Sequence, residues 1–413
     1  MESYLIILVT LLSFLLNSSG SVIQTKYTKR HINLANDPKV INGTHYLWEI
    51  QGSPPSYIFG TMHVPYIMLW DAIAKNTMQA FNNTNSLYLE LDMSEDTLLA
   101  LRSCQQLPNN QTLSDVLPCD IYRKFIVYMR HVHTKIGKWL TTSQKDKGLT
   151  SDAIFNYLFD GWETRRPIWT FLKLQVTVKS FITSIEYTQL DDYLGKVGIQ
   201  QGKFVGGIET VTDMCSIINN IDASQVLFIL NKSMGQNYGE FLTMLDSAEQ
   251  EFDNLVKHYR EGSIAPNYFT RRHGFFPQSY KKEDFNGSRS LNIEVVKDNK
   301  MATEIDTYLR NQLLFKRNEL MTERIIDLIE NNGDSSFFFA FGVGHFIGEN
   351  SVIDMLQEKG IRTVRVSRNK VIPKSKLGSS FRNSSTHLDS DSICKQYRFL
   401  SWFICIVRCV LGF

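Results

Sequence analysis

The chain has little net charge, few cysteines and none of the common hydrolase signatures, and each of these shortages excludes a class of protein. Its 413 residues carry 44 Lys and Arg against 42 Asp and Glu, so no large basic field is present to recruit nucleic acid. Only three cysteines lie in the body of the chain, and three sulfurs so far apart make a poor zinc site. No H-E-x-x-H, G-x-S-x-G or Walker A sequence occurs, which excludes a zincin-type hydrolase. The hydrophobic share of 43% is that of a globular protein.

Long apolar runs are also missing. A helix that spans a bilayer needs about 20 apolar residues, and both apolar runs at the ends of this sequence are shorter. The run at residues 4–16 is shorter and leads into small residues before position 21, which predicts a secretory signal peptide even though the usual positive start is absent. The run at residues 399–413 contains Arg408 and follows a polar stalk. A truncated transmembrane anchor and a lipid-anchor signal both fit this end.

These features predict a protein on the extracellular face of the cell membrane, either type I single-pass or lipid-anchored. The predicted segments are a signal peptide (1–20), an N-terminal linker (21–40), an extracellular domain (41–373), a flexible stalk (374–398) and a hydrophobic C-terminal anchor (399–413). In a secreted chain each N-x-S/T sequon is a usable glycosylation acceptor and predicts an exposed position. Six occur, at Asn42, Asn82, Asn110, Asn231, Asn286 and Asn383.

The cysteines leave several disulfide pairings open. Cys104 and Cys119 flank a polar turn and could close a 15-residue loop, which would contribute roughly 3 kcal/mol on the chain-entropy model. Cys215 could remain free or pair with Cys394.

The most informative motif occurs twice, 282 residues apart. An apolar run closed by glycine leads into G-x-x-H at residues 60–63, and a phenylalanine-rich run leads into G-x-x-H at residues 342–345. Such runs are typical of buried strands that stop at a turn, which places each histidine at the mouth of a strand. One G-x-x-H alone favours a structural histidine, whereas the matched pair indicates one site built from two related halves.

The remaining pattern alternates strands with helices. It predicts helices at 65–82, 301–330 and 351–360, a helical middle at about 113–194 that breaks near Pro167, strands at 86–92, 203–210 and 362–366, and an inserted surface loop at 264–291. We therefore expect an α/β, or mixed α+β, fold. Its sheet core would come from two related halves surrounded by helices, each half giving a strand-end G-x-x-H and a strand-end Glu.

Four strand-end residues form the candidate metal site: His63, Glu90, Glu209 and His345. Imidazole and carboxylate together suit Mn, Co, Zn or Fe(II), and two histidines with one or two carboxylates leave positions open for water and substrate.

Arg317 is the fifth candidate, because it interrupts an apolar stripe. The stripe follows i+4 spacing through Leu309, Leu313, Arg317, Met321 and Ile325. Burying the charge costs several kcal/mol unless a carboxylate or ligand meets it. A snorkelling side chain and a structural ion pair are the structural explanations. The functional one is a cation near the metal that holds a carboxylate or stabilises an oxyanion.

Four segments closely resemble the Tiki family, which belongs to the wider TraB/PrgY group. They are FGTMHVPY at 59–66, YLELD at 88–92, FKRNE at 315–319 and FFAFGVGHF at 338–346. The resemblance implies a membrane-tethered metalloprotease that cleaves amino-terminal residues from Wnt proteins and so inhibits Wnt signalling, with Mn or Co favoured as the ion. It assigns the family's histidines to His63 and His345, and its acidic and arginine positions to Glu90, Glu209 and Arg317.

The hypothesis from the sequence is therefore a single divalent ion held by His63, His345 and one of the two glutamates. The ion would activate water and polarise the scissile carbonyl. The other glutamate would act as general base and Arg317 would stabilise the oxyanion. Two alternatives stay open, namely a surface protein that sequesters a secreted ligand without cleaving it, and a metal- or haem-handling protein.

Overall fold

A six-stranded mixed sheet forms the centre of the protein. The computed structural model describes residues 45–52, 54–92, 94–234, 238–266, 268 and 293–373. The strands are β1 (Leu47–Ile50), β2 (Ser56–Thr61), β3 (Ser86–Leu89), β4 (Phe204–Gly207), β5 (Phe337–Gly342) and β6 (Thr363–Arg365), arranged in the order β4-β3-β5-β2-β1-β6. Every residue of β2 and β5 is buried, as expected for the apolar runs from which they form.

The register of the four neighbouring parallel strands aligns their carboxyl ends. Leu89 lies opposite both Gly207 and Ala340, and Thr61 lies opposite Gly342. The two G-x-x-H turns and the two strand-end glutamates therefore leave the sheet at one edge. In open α/β sheets this edge is where ligands bind.

Helices surround the sheet. In chain order they are α1 (Lys75–Asn83), α2 (Glu95–Cys104), α3 (Leu113–Val116), α4 (Cys119–Trp139), α5 (Thr142–Asp146), α6 (Ser151–Phe159), α7 (Pro167–Val176), α8 (Lys179–Ser184), α9 (Leu190–Gln200), α10 (Val211–Asn219), α11 (Ala223–Ser233), α12 (Tyr238–Glu261), α13 (Ile293–Arg310), α14 (Lys316–Asn331) and α15 (Val352–Glu358). The mixed α/β class predicted from the sequence is confirmed. So is the helical middle, in which Pro167 begins a helix after a short 3-10 turn.

The predicted long helix at 301–330 exists but begins earlier. Helices α13 and α14 are joined by a π-helical turn at Asn311–Phe315, which ends two residues before Arg317. All five residues of the predicted stripe are buried, Arg317 among them. A π turn inside an α-helix is frequent at functional sites.

The predicted helix at 65–82 is wrong in its first half. Residues Tyr66–Met68 and Trp70–Ala72 form 3-10 turns, and the α-helix begins at Lys75. The backbone N–H of Tyr66 donates to Thr188 O, and that of Leu190 donates to Val64 O. Pairing with this distant segment outweighs helical periodicity here. Strand β1 and its antiparallel pairing with β2 and β6 were not predicted.

The proposed Cys104–Cys119 bridge is also wrong. Cys104 is bonded to Cys215, with a Cα–Cα separation of 6.3 Å, and Cys119 is an exposed free cysteine. The bond joins the end of α2 to α10, since two helices distant in sequence pack against each other there.

Several predictions lie outside the described residues. They concern the signal peptide, the linker up to residue 40, the stalk, the anchor, most of the loop at 264–291, and the sequons at Asn42, Asn286 and Asn383. The three described sequon asparagines, Asn82, Asn110 and Asn231, are exposed. Within the described ranges, none of the helices combines the length and hydrophobicity that crossing a membrane requires.

Candidate metal centre

The structure brings all five predicted site residues together in the interior. His63 follows β2, Glu90 follows β3, Glu209 follows β4, and His345 ends a 3-10 turn after β5. Arg317 reaches them from α14. Each of the five is at most 5% exposed, so their charges must be met by one another.

Two glycines allow the strand ends to approach this closely. A Cβ on Gly207 would lie 2.5 Å from the backbone nitrogen of Asp92, and a Cβ on Gly60 would lie 3.0 Å from side-chain carbons of Tyr46 and Val343. The first approach lets Glu209 N–H donate to Glu90 O at 2.8 Å. The two glutamates thereby leave adjacent strands side by side.

Glu90 occupies the centre of the site. Its Oε2 accepts from the backbone N–H of Gly342 at 3.0 Å and lies 2.6 Å from His63 Nε2. Its Oε1 accepts from Arg317 and lies 3.4 Å from His345 Nε2. Burial raises the pKa of Glu90, but its cationic and hydrogen-bonding neighbours outweigh this and hold the pKa well below its ordinary value. Glu90 is therefore a carboxylate.

Arg317 is held by both glutamates. Its Nε donates to Glu209 Oε1 at 2.8 Å, and one terminal nitrogen donates to Glu209 Oε2 at 2.6 Å and also to Glu90. The other terminal nitrogen donates to Leu313 O at 3.2 Å. Burial lowers the pKa of Arg317, whereas the carboxylates raise it and prevail. The side chain does not snorkel. It forms a two-pronged buried ion pair with Glu209 and fixes Glu90.

Each imidazole is oriented through its second nitrogen. His63 Nδ1 lies 2.8 Å from Asp191 Oδ2, and His345 Nδ1 lies 2.6 Å from Asn318 Oδ1. The amide nitrogen of Asn318 donates to Asn350 O at 2.8 Å, which fixes the side-chain oxygen toward the histidine. Both Nε2 atoms consequently face Glu90. Oxygen partners on the far nitrogen of a histidine are the usual surroundings of a metal-binding imidazole.

The two histidines differ in charge. Burial and then the nearby Arg317 lower the pKa of His345, so this ring is neutral. Its Nδ1 lies against the side-chain oxygen of Asn318, and its Nε2 lies 3.4 Å from a carboxylate oxygen of Glu90. Burial lowers the pKa of His63, but the charges of Asp191 and Glu90 raise it to about 10. A metal ion that binds His63 Nε2 would have to displace the proton on this nitrogen.

The donors fit a divalent ion in their chemistry. Within the described residues, no group of three or more His, Cys, Asp and Glu side chains has the arrangement that could hold a metal ion as it stands. However, two Nε2 atoms converge on one carboxylate, at 2.6 Å for His63 and 3.4 Å for His345. Nitrogen and oxygen donors of this kind suit Mn, Fe, Co or Zn. For an ion to bind here, the hydrogen bond between His63 and Glu90 would have to break.

Sequence reasoning missed two partners of the site. Asp191 is 7% exposed and lies in the first turn of α9, where it also accepts from Thr61 Oγ1 at 2.7 Å. Acidic residues are common in the first turn of any helix, so nothing in the sequence distinguishes this one. Asn318 follows Arg317 directly, and its position next to a buried charge on the helix was the available signal.

Comparisons with known proteins identify the family of the chain. A model of the TraB/PrgY/gumN family matches residues 46–365. Metalloprotease TIKI2 of Xenopus tropicalis is 37% identical over 321 residues, which cover 76% of this chain and 58% of that protein. Metalloprotease TIKI1 of Homo sapiens is 35% identical over 333 residues, covering 80% and 64%. A Metalloprotease TIKI homolog of Nematostella vectensis is 32% identical over 347 residues, covering 82% and 70%.

The chain thus spans about three fifths of the length of the Xenopus and human relatives. No solved structure is significantly similar to it.

Proposed function

The chain belongs to the TraB/PrgY/gumN family, and we propose that it is a metal-dependent protease. The observation that carries the proposal is the convergence of His63 Nε2 and His345 Nε2 on the carboxylate of Glu90. Curated relatives that carry the name metalloprotease support it. His63, His345 and Glu90 would hold the divalent ion, which would supply a Lewis acid to polarise a peptide carbonyl and activate water.

In this proposal the surrounding residues hold the donors in place. Asp191 and Asn318 direct the two imidazoles. The backbone N–H of Gly342 and the guanidinium of Arg317 fix the carboxylate of Glu90. Preorganisation of this kind spares the site from reorganising its charges during the reaction.

The two glutamates take different roles. Both carboxylate oxygens of Glu209 accept from Arg317, whereas Glu90 contacts both histidines. We assign the metal contact and proton transfer to Glu90, and the positioning of Arg317 to Glu209. Arg317 then acts on the reaction by holding Glu90, because its three nitrogens already donate to protein acceptors.

The substrate and location follow from the resemblance in the sequence. We propose that the protein acts on the extracellular face of the cell membrane, removes amino-terminal residues from Wnt proteins and uses Mn or Co. The C-terminal apolar segment would attach it to the membrane. The sequon asparagines Asn82, Asn110 and Asn231 are exposed and would be available for glycosylation there.

Mass spectrometry of a purified Wnt protein incubated with the purified chain tests this function. The reaction is run with Mn²⁺, with a chelator, and with a His63→Ala/His345→Ala variant. A His131→Ala variant serves as a matched control, since this histidine lies on α4, which contributes none of the five site residues. We expect metal-dependent loss of amino-terminal residues with the wild type and the control alone.

The alternative is a surface protein that sequesters a ligand without cleaving it. The observation in its favour is that the charged side chains already satisfy one another and leave no formed metal site within the described residues. An intact Wnt protein that co-purifies with the chain in the presence of chelator would support this alternative and contradict the protease.

A further inference from the structure

The last turn of α12 lies against the segment that carries the first G-x-x-H motif. Tyr259 is 6% exposed, and its hydroxyl donates to Gly60 O at 2.7 Å. The next residue, Arg260, donates to Met68 O and forms a two-pronged ion pair with Asp71, in which both N–O distances are 2.7 Å. Two consecutive residues of one helix therefore hold the chain both before and after the histidine of this motif.

The carbonyl of Gly60 lies where the pairing between β1 and β2 ends. Gly60 N–H donates to Tyr46 O at 2.8 Å, which extends the pairing one residue beyond Leu47, the first residue of β1. In such an antiparallel pair the carbonyl of a residue points to the same side as its N–H, and there the Gly60 carbonyl accepts from Tyr259. A buried carbonyl that loses its donor is costly, so the hydroxyl of Tyr259 fixes the end of β2.

The end of β2 determines where His63 lies. Thr61 Oγ1 donates to one carboxylate oxygen of Asp191 at 2.7 Å, and His63 Nδ1 lies 2.8 Å from the other. Only two residues separate Gly60 from His63. A shift of the Gly60 carbonyl would therefore disturb both contacts with Asp191, and with them the direction of the imidazole.

The hydroxyl of Tyr259 is a fixed donor. Its ring packs against that of Tyr46, with the ring centroids 5.0 Å apart. The Tyr46 hydroxyl in turn accepts from the backbone N–H of Ile264 at 3.2 Å. Burial raises the pKa of Tyr259 well above its ordinary value, with Tyr46 and Asp191 adding to the effect. The hydroxyl consequently keeps its proton and donates it to the carbonyl.

The second G-x-x-H turn is held differently. Gly342 N–H donates to Glu90, and His345 Nδ1 lies against Asn318, which neighbours Arg317 on α14. Both partners thus belong to segments that also carry site residues. The first turn depends in addition on α12, which contributes none of the five site residues.

We propose that Tyr259 is a positioning residue of the candidate metal centre, whose hydroxyl holds the first G-x-x-H turn so that His63 Nε2 faces Glu90. This inference rests on the proposed function, since it gives Tyr259 a part in metal binding. Tyr259 acts through the carbonyl of Gly60, which it contacts directly. Tyr259→Phe removes one oxygen atom and retains the ring, so this variant tests the hydrogen bond alone.

Two measurements on the purified full chain test the proposal. Amide hydrogen exchange, followed by mass spectrometry without metal, reports on peptides that cover residues 60–64. In Tyr259→Phe we expect exchange there to be about tenfold faster, the order of effect of one lost hydrogen bond. Titration calorimetry with Mn²⁺ should show an affinity about tenfold lower, as when an outer partner of a metal ligand is lost.

Tyr308→Phe is the matched control. The hydroxyl of Tyr308 likewise donates to a backbone carbonyl, that of Ile217, at 3.0 Å. It lies on α13, which contributes none of the five site residues. This control should change neither exchange at residues 60–64 nor the affinity for Mn²⁺.

Unchanged exchange at residues 60–64 in Tyr259→Phe would overturn the proposal. So would faster exchange combined with the wild-type affinity for Mn²⁺, because the hydroxyl would then stabilise the fold without positioning His63. A wild type that binds no divalent ion would instead contradict the proposed function. The exchange measurement needs no metal, and it would then decide alone whether Tyr259 holds the turn.

Discussion

Replacement of Arg317 by methionine should destabilise the protein by about 3–5 kcal/mol, the usual cost of removing one partner from a buried ion pair. The residue is 1% exposed, and its guanidinium donates three hydrogen bonds to the carboxylates of Glu90 and Glu209. Methionine fills the space of the aliphatic stem but leaves two carboxylates buried side by side without their cation. Lysine keeps the charge but not the two-pronged geometry, so Arg317→Lys should lose less.

Urea unfolding of the purified proteins measures these differences. Lys316→Met is the matched control, because Lys316 lies on the same helix and pairs with Glu319 at 3.4 Å, three residues away, with 61% of its side chain exposed. Pairs of this kind contribute about 0.3–0.5 kcal/mol. A double-mutant cycle with Glu209→Gln should show strong coupling, since the second change removes one of the stranded charges. A loss in Arg317→Met no greater than in Lys316→Met would refute the reasoning.

Three further predictions concern other parts of the structure. Asp191→Asn should weaken metal binding about 10–100-fold by titration calorimetry, while Asp192→Asn, on the same helix turn, should not; equal affinities would contradict the orienting role. Cys215→Ser should lower the free energy of unfolding by about 2–5 kcal/mol, whereas Cys119→Ser should leave it unchanged. Burial, then two nearby arginines, lowers the pKa of His45 from 6.5 to about 4. As the pH falls, His45 is protonated in the unfolded chain before it is protonated in the folded protein. The stability contributed by neutral His45 is therefore present above about pH 6.5 and is lost as the pH falls toward 4. His45→Phe should flatten that part of the pH profile of unfolding, and an unchanged profile would contradict the shift.

The ends of the parallel strands could be predicted from the sequence because their signals are local. The runs before Gly60 and Gly342 are apolar and close with glycine, and both became fully buried strands. The i+4 spacing of the apolar stripe likewise predicted that Arg317 is buried. Such patterns depend on periodicity and hydrophobicity alone.

The rest depends on contacts between distant residues. Asp191 meets His63 across 128 positions of the chain, and Cys104 bonds to Cys215 across 111. The polar turn near Cys104 favoured a local partner, but helix packing determined the real one. Strand β1 has only four residues, one of which is the charged Glu49. This is too short for an alternating strand pattern to be recognised. The roles assigned to the five site residues stay predictions.

Titration of Mn²⁺ into the purified chain tests the central claim most directly. The account predicts one ion per chain in the wild type, no binding in His63→Gln or His345→Gln, and unchanged binding in His131→Gln. Circular dichroism would establish that each variant is folded. Folded His63→Gln and His345→Gln variants that bind Mn²⁺ as the wild type does would contradict the account, as would a wild type that binds no divalent ion.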